Sequence, residues 1–194
     1  MDEYNNKLKE VFPEYATEIN QAQNESSLII NNFNTQNSKE KEVVISESRM
    51  LDNNTEYTLK MFEDGSYMAM QSIIGSYQVS GGSSSGGSGY MNVYNRTITV
   101  WQSGGLFAMT ISPISYTIAH GAYDSFNELG FAILGSPSPI NAYPSKISED
   151  ASGPAYAYYN GTNTLFDGQT PTPMQVKLEL GNDQLRVYLN EIQL

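Results

Sequence analysis

The chain reads as an all-β protein: a mainly antiparallel β-sandwich over residues 42–194, preceded by a short helical or mobile segment over residues 1–41. Three observations predict this. Near residue 42 the spacing of apolar residues changes from a repeat of about 3.6 to one of about 2, the change from a helical stripe to strand alternation. Two tight-turn signals, Asp64-Gly65 and Gly181-Asn182-Asp183, each join two runs of alternating polarity. No long helical repeat separates the later strands, which argues against βαβ units. Short strands with uneven connectors favour a sandwich over a closed barrel.

In the first segment Tyr4, Leu8, Val11, Tyr15 and Ile19 recur at steps of three or four, one helical stripe interrupted by Pro13. Proline opens a helix well but breaks its interior, so two short helices or one kinked helix are expected. The stripe has two readings: it docks on the main domain, or it is a weakly ordered stalk or processed leader. A helix this short is marginal without tertiary contacts. Asn31 to Asn37 is polar and turn-rich, as a linker would be.

Strands follow. Val43 to Ser46 begins the alternation, Asp52-Asn53-Asn54 turns the chain, and Thr55–Phe62 and Ser66–Ile74 form a hairpin about Asp64-Gly65. GGSSSGGSG at 81–89 is a loop that, as free coil, would span roughly 15–18 Å. Strands resume at Tyr90–Tyr94, Thr97–Trp101, Leu106–Ile111 and Ile114–Ile118. Ile98 and Val100 share one face, and Phe107, Met109 and Ile111 form the matching set. Pro113 lacks a ladder donor and marks an edge or a bulge. Phe126 to Leu134 is ambiguous between loop and strand. Pro137 to Pro154 is mostly irregular, anchored by Tyr143 and Ile147, and Ala155–Tyr159 is a strand. The chain closes with a hairpin of Met174–Leu180 and Gln184–Ile192. Its core set is Val176, Leu178, Leu180, Leu185, Val187 and Leu189, with Arg186 and Tyr188 pointing outward.

Composition narrows the function. At 194 residues a chain buries roughly 70% of its unfolded surface, so the core needs no staples. There is no cysteine, which removes disulfides, thiol nucleophiles and thiolate metal sites. A single histidine, His120, removes motifs that need two. Ten basic against 21 acidic residues give a net charge of −11, unsuited to a nucleic-acid partner. Charge is also uneven: between residues 75 and 123 only Arg96 is charged. No run of 18 apolar residues suggests a transmembrane segment, and residues 1–30 carry no signal-peptide pattern. Low charge, many small polar residues and 14 tyrosines nevertheless suit a secreted or cell-surface domain, its signal peptide removed ahead of Met1.

The opening VVISES at Val43 to Ser48, the Asp-Gly hairpin and the long Gly/Ser loop before the strand at Gly89 to Trp101 resemble a group of small secreted β-rich proteins of Gram-positive bacteria. SGPAYA at Ser152 to Ala157 and the turn at Gly181 to Asp183 add to the likeness. The similarity covers residues 42–194 and implies export and an all-β fold. It carries no catalytic residue.

Several constellations bear on chemistry. His120 beside a carboxylate such as Asp124 has the make-up of a general base, although a solvent-edge histidine explains it more simply. Glu128, Glu149, Asp150, Asp167 and Glu179 are acids from which a glycosidase pair could be drawn, yet no spacing brings two together. Asp64, Asp167 and Asp183 sit in glycine turns, which turn chemistry accounts for without calcium. No catalytic residue, metal site or cofactor is therefore assigned. Aromatics make the better case: Trp101, Tyr90, Tyr94, Tyr156 and Tyr158 are candidates for a surface that stacks on a glycan or a protein partner. The expected function is a non-enzymatic secreted or cell-surface binding or interaction module. The alternatives are a carbohydrate-active hydrolase using two carboxylates, and a structural domain that associates with copies of itself.

Overall fold

The computed structural model describes residues 1–24, 42–81, 90–135, 138–165, 168 and 171–194. Eleven strands among these residues form two antiparallel sheets, each a meander in which every strand pairs with its chain neighbour. The first sheet holds β1 (Val43–Met50), β2 (Thr55–Phe62), β3 (Tyr67–Gly81), β4 (Tyr90–Gln102), β5 (Met109–Ala119) and β6 (Ser125–Leu134). The second holds β7 (Tyr143–Lys146), β8 (Ala155–Thr164), β9 (Pro171–Gly181), β10 (Gln184–Leu189) and β11 (Ile192–Gln193). The linker at 31–37, the Gly/Ser segment from 82 to 89 and Asp167 lie outside the described residues.

The two-residue alternation explains the packing between the sheets. Met70, Ile98, Val100, Met109, Ile111 and Tyr116 from the first sheet meet Tyr159, Val176, Leu178, Leu180, Val187 and Leu189 from the second in one buried core. Leu185 is only partly buried against it. The Asp64-Gly65 turn forms as expected, with Gly65 at φ 82° and Asp64 Oδ1 accepting from the Ser66 backbone N–H at 3.0 Å.

Several strands differ in extent from their sequence reading. The stretches on either side of Asn95-Arg96 are one strand, β4, and those on either side of Pro113 are one strand, β5. Pro113 is not at an edge, since β5 pairs with β4 and with β6. Instead the register shifts there: Ile114 and Ile111 oppose Arg96 and Ile98, so the missing donor falls in an irregularity. Gly130 lies against this point, where a Cβ would come within 2.4 Å of the Ser112 carbonyl oxygen. Phe107 precedes β5 and is 38% exposed, outside the core set expected for it. Tyr143 and Ile147 are also exposed, so they do not anchor the β6–β8 connection. Backbone bridges hold that connection instead, between Ala132 and Ile140 and between Ser125 and Ser148.

The N-terminal stripe forms α1 (Asp2–Val11) and α2 (Ala16–Asn24), separated by a single 3-10 turn that Pro13 opens. These helices lie on the outer face of the first sheet. Leu8, Phe12, Ile19 and Ala22 are buried against Tyr57, Leu59, Met61, Tyr67, Ala69 and Trp101, forming a second core. Polar ties fix the arrangement. Arg49 of β1 donates to Glu14 and Glu47, donates to the Val11 carbonyl oxygen at 3.1 Å, and covers the Phe12 ring at 4.7 Å. Tyr15 Oη donates to Glu47 Oε1 at 2.8 Å. The segment is therefore a third layer sharing a core with the sheet. No described helix is long and apolar enough to cross a membrane.

Candidate functional site

The outer face of the second sheet carries the most distinctive arrangement of functional side chains. In β8 the small or fully buried residues Ala155, Ala157 and Tyr159 face inward, which turns Tyr156 and Tyr158 outward. Register then aligns them across the sheet. Tyr143, Tyr158, Lys177 and Tyr188 form one row over four strands; Lys146, Tyr156, Glu179 and Arg186 form the next. Neighbouring strands lie about 4.8 Å apart, so each row sets aromatic and polar groups at contact spacing.

The geometry within these rows is specific. Tyr156 and Tyr158 meet edge to face, with ring centroids 5.8 Å apart and planes at 77°. Lys177 Nζ sits 5.0 Å from the Tyr188 ring centroid and 5.6 Å from that of Tyr156, within cation–π range. It also donates to Glu179 Oε2 at 2.5 Å. Glu179 Oε1 accepts from Tyr188 Oη at 3.3 Å and from Arg186 Nη1 at 3.4 Å. Burial raises the Glu179 carboxyl, but these donors and charges outweigh it and hold the group below its usual range. The charges are thus committed to one another, and the half-buried rings of Tyr156, Tyr158 and Tyr188 pack among them. Tyr143, 68% exposed, stands at the edge of this face.

The five aromatic residues singled out from sequence do not form one surface. Trp101 is fully buried beneath α1; its Nε1 donates to Asn5 Oδ1 at 2.9 Å and its ring lies 5.4 Å from that of Tyr4. It belongs to the helix–sheet core and presents no face to a ligand. Tyr94 lies on the inner face of the first sheet, stacked on Tyr116 at 5.2 Å and 18° and tilted against Tyr77 at 5.1 Å. Tyr90 pairs through its backbone with Gly81, and its side chain lies outside the described atoms. Of the four whose side chains are described, only Tyr156 and Tyr158 share a site. Tyr188, Lys177 and Glu179 complete it; their outward alternation in β9 and β10 was the available signal, but pairing across strands was not.

His120 lies in the turn after β5 and bonds to Asp183 rather than to Asp124. Its Nδ1 is 3.0 Å from Asp183 Oδ2, and its Nε2 is 3.1 Å from Asn92 Nδ2. Asp124 is buried, and both of its carboxylate oxygens serve the backbone. Oδ1 accepts from the Ala119 N–H at 2.9 Å and Oδ2 from the Asp183 N–H at 2.9 Å. Glu149 likewise accepts from the backbone N–H groups of Asp124 and Asn182. These carboxylates pin the β9–β10 turn to the loop before β6. Among the described residues no group of three or more His, Asp or Glu side chains is placed to hold a metal ion.

Burial raises the Asp124 carboxyl above its ordinary value, outweighing its two backbone donors, and the charges of Glu149 and Asp183 add to the rise. The folded protein therefore holds this proton more tightly than the unfolded chain. The carboxyl's contribution to stability is full below its unfolded value, about 3.9, and declines as pH rises through the higher folded value. Urea unfolding at stepped pH checks this: the stability difference between wild type and Asp124→Asn should shrink with rising pH. A difference that grows over that window would reverse the assignment.

Comparisons with protein-family models, with curated proteins and with solved structures find no match to this chain. Fold and site together define a helix-capped, two-sheet antiparallel sandwich with an aromatic outer face.

Proposed function

We propose that the protein is a non-enzymatic binding module acting outside the cell, and that the outer face of its second sheet receives a glycan. The carrying observation is the register that sets exposed Tyr143 and half-buried Tyr156, Tyr158 and Tyr188 on one outward face around an ion network already satisfied internally. Tyrosine offers a flat apolar ring and a hydroxyl tip, which match the apolar face and the hydroxyls of a pyranose. Asn160 and Gln175, bonded to each other at 2.8 Å beside the row, add planar amides of the kind that pair with sugar hydroxyls. The low charge and small polar residues of the chain support an extracellular setting.

A glycan array followed by titration calorimetry tests the reading. Loss of one stacking ring should weaken binding by about tenfold, the equivalent of about 1.4 kcal/mol, in Tyr158→Ala and in Tyr156→Ala. Tyr77→Ala, on the other sheet, should leave affinity unchanged. An array with no retained glycan, or equal affinity in all three variants, would remove this face from consideration.

A further inference from the structure

The second sheet does not cover the first completely. β11 pairs with β10 at Tyr188 and Leu189, and the Leu194 N–H reaches the Val187 carbonyl oxygen at 2.8 Å, leaving Gln184 to Arg186 at the start of β10 without a ladder partner on that side. Between the sheets lies a cleft of about 190 Å³. Its lining is mainly polar, with Ser48, Glu56, Thr58, Ser72, Gln184 and Arg96 among its residues.

Arg96 is the unusual member. As the only charged residue from 75 to 123, it sits on the same β4 face as the core residues Ile98 and Val100, where an apolar side chain would be expected. Nη1 donates to Ser72 Oγ at 2.9 Å, and the guanidinium lies 5.9 Å from the Tyr94 ring centroid and 6.0 Å from that of Tyr116. Nε is buried with no hydrogen-bond partner. Among the described residues no carboxylate comes within 4.0 Å of Arg96, although the chain is strongly acidic. The partners of the half-buried guanidinium are therefore all neutral: the Ser72 hydroxyl, the Tyr116 hydroxyl and two tyrosine rings. A guanidinium with a free N–H and no carboxylate partner has the donors to bind a carboxylate.

We infer that this cleft binds a small hydroxylated organic acid, its carboxylate on Arg96 and its hydroxyls on the polar walls. Glu56 carries the second half of the description, since the other cation of the lining, Arg186, is paired with Glu179. A carboxylate on the wall repels a second anionic group but accepts from a hydroxyl, as Ser48, Thr58 and Gln184 also can. The volume lies below the ~300–1,000 Å³ of sites for drug-sized ligands, which limits the occupant to about one sugar unit. The cleft meets the tyrosine face only at Arg186, which is bonded to Glu179, and uses none of the tyrosine rings of that face.

Titration of the full chain with D-galacturonate, followed by calorimetry or amide chemical shifts, tests the inference. Saturable binding is expected, weakened by at least about tenfold in Arg96→Gln, since a charge-assisted hydrogen bond is lost. Ser48→Trp, at an exposed position on the cleft wall, should block binding while leaving Arg96 and the fold in place. D-Galactose, lacking the carboxylate, should not saturate, and inorganic phosphate should bind more weakly. Tyr158→Ala should leave galacturonate affinity unchanged, which separates failure here from failure of the glycan face. Absence of saturation, equal binding of galactose or phosphate, or full affinity in both Arg96→Gln and Ser48→Trp would overturn the inference.

Discussion

Trp101→Ala is expected to destabilise the protein by about 3–5 kcal/mol, the range for truncating a large buried aromatic side chain. The indole is fully buried between α1 and the outer face of the first sheet, so its removal leaves a cavity that two stiff layers close poorly. It also removes the 2.9 Å bond from Nε1 to Asn5 Oδ1. Trp101→Phe separates the two contributions. Asn5 Oδ1 keeps a second donor, Tyr67 Oη at 2.8 Å, so loss of the indole N–H alone leaves no orphaned acceptor. Phenylalanine should therefore cost clearly less than alanine. Urea midpoints followed by circular dichroism measure both. An alanine variant as stable as wild type would mean that the helices do not rest on this ring.

Deleting residues 1–24 should have the second large effect. Leu8, Phe12 and Ile19 are fully buried, and each contributes about 1.5–3 kcal/mol of hydrophobic stabilisation, less the entropy of ordering the helices. Their removal bares Tyr57, Leu59, Met61, Tyr67, Ala69 and Trp101 as one contiguous patch on a sheet face. Patches of this kind promote association. The shortened chain is expected to melt several degrees lower, to bind an apolar dye and to self-associate on a sizing column. A monomer with an unchanged melting temperature would make the helices an appendage. Substituting Arg49 instead should give a milder form of the same defect, because it ties β1 to Glu14 and Val11 without filling the core.

Both results concern a layer that was only half legible in sequence. The stripe Tyr4, Leu8, Val11, Tyr15 and Ile19 and the break at Pro13 predict the helices, but a stripe shows only that one face is apolar. What covers that face is a long-range fact. Trp101 shows the same limit, since its place before a turn suits a rim as well as a core, and the covering helix lies about 90 residues upstream. In the second sheet, the outward positions of Tyr156, Tyr158, Arg186 and Tyr188 follow from alternation within their own strands. Their meeting with Lys177 and Glu179 follows from register between strands, which a single strand's pattern does not contain. Arg96 was open to detection as a lone cation in phase with Ile98 and Val100, and only the cleft beside it gives that phase a meaning.

By itself the sequence determined the class of the fold, the β2–β3 and β9–β10 hairpins, the helix break and the inward faces of the closing strands. Each depends on side-chain periodicity or on backbone angles within a few residues. Tertiary structure alone decided that the chain lies in three layers, that Trp101 is core, that His120 meets Asp183, and that an unequal overlap of sheets leaves Arg96 at an open cleft. These are contacts between residues tens of positions apart, settled by how whole faces fit when apolar surface leaves water.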